Sequence, residues 1–174
     1  NVNTIGWGHA MSSEEEGCIT FADGTTKELY QIGSTITYAE AEELLNRDIE
    51  EREAKINQQL KDRGIEEKVN QQFYDALILL EFQIGEQIFV HADFSGFLNE
   101  GNFELSNKEA IILQFCEYSN GRDDGTMKRR ADELDIIFNG DYERNDNVSD
   151  INRYAPEEGN IWGELSERKN REKS

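Results

Sequence analysis

A chain of 174 residues, 36% hydrophobic and 32% charged, is long enough to bury a real core as one domain or as two small lobes sharing a helix. Its formal net charge of −19 opposes long-range attraction to nucleic acid and to anionic membrane, so neither is expected as a partner. No apolar run is long enough to cross a bilayer, and no signal-peptide pattern is read.

The sequence opens inside a strand-like run, Asn-Val-Asn-Thr-Ile, without an initiator methionine, and residues are expected upstream. Thr4-Ile5-Gly6-Trp7-Gly8-His9 is the first organised stretch. Its two glycines suit either a tight hairpin or a strand whose backbone is closely approached, because no Cβ stands in the way. Thr4 supplies a hydroxyl and His9 a titratable ring beside that gap. Ser12 to Gly17 reads as a solvated acidic loop, with nothing apolar nearby to raise a glutamate pKa. Ile19–Ala22 and Leu29–Ile32 are short strand candidates, and Asp23-Gly24 and Gly33-Ser34 are turn signals. Cys18 and Cys116 match no metal spacing. Buried thiols are expected, and one disulfide stays open.

Thr37-Tyr38-Ala39-Glu40 is a capping box. The helix behind it places Leu45, Ile49, Ile56 and Leu60 on one side and stops at Gly64. With a rise of ~1.5 Å per residue it spans well over ~30 Å, enough to join two lobes. Phe73 to Phe82 is apolar nearly all round, as a central buried helix requires, and Gly85 stops it. Phe94–Leu98 is a second short piece, followed by a turn at Asn99–Asn102. Ser106 is an N-cap candidate, with Glu109 three residues on, for a helix to Tyr118 that turns Ile111, Ile112 and Phe115 inward. Asn120–Gly125 is a loop. A last helix, Met127–Phe138, carries Lys128-Arg129-Arg130 in its first turns, where cations oppose the helix dipole. They serve a partner or structural carboxylate, or form a solvated basic patch. From Asp141 the chain turns polar, with Pro156 and Trp162, and reads as a wrapping tail that frays.

In this order the motifs resemble the bacteriophage-type lysozymes of glycoside hydrolase family 24. The resemblance rests on Thr4 to His9, on Ile36-Thr37 with Ala41-Glu42-Leu44-Leu45, and on Gln72-Phe73-x-Asp75-Ala76-Leu77 with Phe82-Gln83-Ile84-Gly85. Leu98-Asn99-x-Gly101 and the Gly-x-x-x-Arg-Arg-x-x-Glu run from Gly125 to Glu133 complete it, so that it covers roughly residues 3 to 140. It implies an α+β, mainly helical, two-lobed fold: a β-rich lobe over 1–36, a connecting helix over 37–64, a helical lobe over 65–140 and a polar tail over 141–174. A cleft between the lobes is part of that expectation.

The family cuts the β-1,4 link between N-acetylmuramic acid and N-acetylglucosamine in peptidoglycan. That reaction needs a carboxylic acid to protonate the leaving oxygen and a second group to hold water on the opposite sugar face. By resemblance, Thr4 places the water, while Ala10, Phe82, Gln83 and Gln114 bind substrate. His9, Arg129 and Arg130 are structural groups near the site. No metal and no cofactor are implied. The family's acid glutamate and the aspartate after it both precede the Thr-Ile-Gly motif, and residues 1–3 contain neither. The preferred expectation is that they lie upstream of Asn1. A second chain as donor, and a non-catalytic peptidoglycan-binding relative, are the alternatives. Glu86 is the best substitute acid within the chain, although a surface glutamate at a helix end is its ordinary reading. An acidic nucleic-acid mimic or inhibitor is a weaker third class.

The implied substrate is peptidoglycan glycan, met in the periplasm or outside the cell, as by phage endolysins or secreted antibacterial effectors. The charge of −19 departs from the basic character of many wall-degrading enzymes. It suggests delivery by a larger apparatus, with a cognate immunity protein in the effector case, or work at high salt, where steering is screened.

Overall fold

The computed structural model describes residues 4–11, 18–29, 33–118, 124–144 and 153–154. Among these residues the fold is α+β and mainly helical, with two small antiparallel sheets of two strands each. Strands β1 (Thr4–Ile5) and β2 (His9–Ala10) form one sheet, and β3 (Ile19–Thr20) and β4 (Thr26–Lys27) the other. Helices α1 (Tyr38–Arg63), α2 (Gln71–Ile84), α3 (Gln87–Val90), α4 (Ala92–Glu100), α5 (Lys108–Cys116) and α6 (Asp124–Asn139) follow. The chain divides into two compact units, residues 1–55 and 56–174, with the boundary inside α1.

In the first unit, Ile19, Phe21, Leu29 and Leu44 make the core, and Ile5, Met11 and Ile36 pack against it. The expected strand at Leu29–Ile32 is not what β3 pairs with. The Asp23-Gly24 turn reverses the chain at once: Gly24 adopts φ +85°, and the Thr25 amide and hydroxyl both donate to Asp23 Oδ1. That brings Thr26 and Lys27 back against Thr20 and Ile19. Leu29 is buried outside any strand. Residues 30–32 and the acidic loop at 12–17 lie outside the described residues.

The capping box forms as expected. The Thr37 amide donates to Glu40 Oε2 at 2.7 Å and the Glu40 amide to Thr37 Oγ1 at 3.2 Å. Lys27 and then Thr37 hold the Glu40 carboxyl below its usual range. Gly64 closes α1 at φ +63°. The buried side of its first half runs through Ala41, Leu44 and Asp48, while Leu45 and Ile49 are half-buried. The stripe is therefore rotated one residue from the expected one, because Leu44 is the leucine that meets the strand core.

The second unit is built on phenylalanine. Phe73, on α2, contacts the rings of Phe97, Phe103 and Phe115 at centroid distances of 6.3, 4.4 and 5.9 Å. Asn70 caps α2 by accepting from the Phe73 amide, and Gly85 ends it. This helix is not apolar all round in its burial, since Leu79 is 45% exposed. The piece at 94–98 is wider than expected, as α4, and α3 precedes it unannounced. Ser106 is not an N-cap. It sits inside a 3-10 turn, Leu105–Asn107, and α5 starts after that turn at Lys108. Ile111, Ile112 and Phe115 are buried.

Helix α6 starts at Asp124, so Gly125 is helical rather than in a loop. After α6, the Tyr142 hydroxyl donates to Asp75 Oδ2 at 2.6 Å, Arg153 Nε donates to Asp135 Oδ2 at 3.1 Å, and the Tyr154 ring packs on Phe138. Residues 155–174, with Trp162, lie outside the described residues. Both cysteines are free: Cys116 is buried, whereas Cys18 is exposed and departs from the buried-thiol expectation.

Candidate functional site

The opening motif folds as a hairpin. Thr4 pairs with Ala10 and Ile5 with His9. Directly paired residues share a face, so alternation puts Thr4 and Ala10 on one side and Ile5 and His9 on the other. Thr4 and Ala10 are exposed, Ile5 packs on the strand core, and His9 is buried. The two glycines serve different purposes. Gly8 (φ +97°) turns the chain in open space. At Gly6 (φ +59°) a Cβ would stand 3.1 Å from Ile36 Cδ1 and 3.3 Å from Ala41 Cβ. Both expectations for the Gly-x-Gly therefore meet here, a tight turn and a close approach.

His9 Nδ1 donates to Asp48 Oδ1 at 2.8 Å, tying the hairpin to α1. Arg52 Nη1 donates to the Asp48 carbonyl at 3.0 Å and steadies the same turn of the helix. Asp48 is a site residue that sequence reasoning missed. The available signal is its spacing: seven residues after Ala41 and four after Leu44, it falls on the buried side of the helix.

In the second unit a cavity of about 480 Å³ lies along α2, α6 and the chain after α6; its lining includes Phe82, Arg129, Asp132, Glu133 and Tyr142. It brings together Phe82 and Arg129 among the expected residues. Arg130 and Glu133 are buried at 0% and 1% exposure, and Arg130 Nη2 donates to Glu133 Oε1 at 2.7 Å and to Gln83 Oε1. So within the Lys128-Arg129-Arg130 run, Arg130 serves a structural carboxylate while Lys128 and Arg129 face outward. Gln114, on α5, is buried and is not part of the cavity lining. Glu86 is exposed beside α3.

Burial pushes the Glu133 carboxyl up to about 8, against the pull of Arg130 and Arg129. Burial also lowers the Arg130 guanidinium, and Glu133 opposes that shift. The cavity wall thus holds a carboxyl able to keep its proton near neutrality, next to a cation held for it. Glu133 is the second residue whose role sequence reasoning did not assign. Its signal was the Arg-x-x-Glu spacing, which places acid and base on the same helix face.

A family model described as phage lysozyme matches residues 1–133. Comparison with curated proteins and with solved structures returned no match.

Proposed function

Because the chain belongs to the phage lysozyme family, whose members hydrolyse peptidoglycan, we propose that it cleaves the β-1,4 bond between N-acetylmuramic acid and N-acetylglucosamine. The observation that carries this reading is the family match over residues 1–133, together with an exposed Thr4 on a hairpin pinned by His9 and Asp48. In this reading Thr4 holds the attacking water. A carboxylic acid protonates the leaving oxygen. The protein acts on wall glycan in the periplasm or outside the cell, brought there by a delivery apparatus.

The test uses the natural protein, its N-terminus established by intact mass, on a suspension of purified cell walls. Clearing is expected. Thr4→Val removes the hydroxyl at nearly constant shape and should slow clearing by about 100-fold, while Thr4→Ser retains most of it. Wall pull-down without clearing, or full activity in Thr4→Val, overturns the catalytic reading in this form. The first of these outcomes selects a non-catalytic peptidoglycan-binding module.

A further inference from the structure

A second constellation uses residues outside the cavity lining and the hairpin. His91 links α3 to α4, as C-cap of one and N-cap of the other. Asp93 follows in the first turn of α4, and Glu117 closes α5. One ligand-type atom from each of the three side chains lies within 4.8 Å of the other two. His91 Nε2 is 4.0 Å from Glu117 Oε1. We propose that His91, Asp93 and Glu117 form a binding site for a divalent transition-metal ion, zinc foremost.

The chemistry of the donors sets the class of ion. Calcium and magnesium take oxygen ligands almost exclusively, so an imidazole in the set argues against both. One imidazole and two carboxylates suit zinc, with water completing the shell. Ligands at ~2.1 Å around a tetrahedral ion stand about 3.4 Å apart. The 4.0 Å gap between His91 and Glu117 closes by well under an ångström, within the reach of a side-chain adjustment.

The backbone carrying these groups is held on both sides. The His91 amide donates to the Gln87 carbonyl and the His91 carbonyl accepts from the Ser95 amide. The Glu117 amide donates to the Leu113 carbonyl. Behind the donors, the Tyr118 ring meets His91 edge-on at 6.1 Å and packs on buried Phe94 at 5.8 Å. The Glu117 side chain is 11% exposed, and a carboxylate that deep beside a second one is stabilised by a cation between them.

The experiment is a calorimetric titration of the metal-free protein with zinc chloride, with calcium chloride as comparison. The expected result is saturable one-to-one zinc binding, with calcium at least about tenfold weaker. His91→Ala and Glu117→Gln should each weaken zinc by about 10-fold or more. Asp93→Asn, a change at an exposed residue, should do the same and serves if either of the other variants fails to fold. Sub-stoichiometric cobalt should shift the ring resonances of His91 and leave those of His9, the only other histidine, in place. Weak, multisite binding unchanged by Asp93→Asn would assign the zinc to the acidic surface at large and overturn the site. So would cobalt shifts at both histidines alike.

Discussion

Glu133 is a carboxyl that the fold prefers protonated. Its side chain is buried, and burial pushes its pKa up to about 8. A raised carboxyl pKa means that the folded state binds the proton more tightly than the unfolded chain. The stability from this group is therefore complete below pH ~4.5 and is lost as pH climbs through ~8, with a slope of at most about 1.4 kcal/mol per pH unit between them. Glu133→Gln keeps the shape and an acceptor for Arg130 but does not titrate. Urea unfolding at pH 5, 6, 7 and 8 should show wild type losing stability relative to this variant as pH rises. Parallel curves would mean that Arg130 keeps the carboxylate ionised throughout.

At the scale of elements, the hairpin shows how a local rule and a tertiary contact coincide. Gly6 combines a left-handed φ with close neighbours, so Gly6→Ala meets both costs. A Cβ in the left-handed region costs about 1–2 kcal/mol, and crowding of Ile36 and Ala41 adds about 1 kcal/mol more. Ile36→Val removes Cδ1, the nearest atom to the new methyl. The double variant should therefore be less destabilised than the two single changes added, by about 0.5 kcal/mol or more. Additive denaturation midpoints would show that the strain is purely a matter of φ.

The same scale shows what was legible in the residues. The capping box, Gly64 and Gly85 are local signals, and each marks its helix end where expected. Adjacent leucines at 44 and 45 are equivalent to any periodicity argument, and only packing against Ile19, Phe21 and Leu29 decides between them. Ser106 carries the right side chain for a cap, but a 3-10 turn already occupies its position. At the site, the family motif implies a structural His9, and the structure places its ring buried against Asp48. Asp48 has only a spacing signal, set against its charge: an aspartate on a charged helix looks solvent-facing until a histidine 39 residues away reaches it.

At the scale of the whole molecule, the charge of −19 sets how the protein meets an anionic wall. Like charges repel at long range, and the repulsion is screened within ~10 Å at 0.1 M salt and ~3 Å at 1 M. Against this acts a local feature of the second unit, the exposed Lys128 and Arg129 beside the cavity, which can favour a negatively charged glycan at short range. The two effects respond oppositely to salt. If long-range repulsion limits encounter, wall clearing should hold or rise as sodium chloride goes from ~0.02 to ~0.3 M. If contacts to Lys128 and Arg129 dominate, clearing should fall steeply over the same range, and Lys128→Gln with Arg129→Gln should flatten the fall. The net charge predicts the first outcome, which fits an enzyme carried to its substrate or working in salt rather than drawn by its own field. A steep loss of clearing with salt would rule out that account.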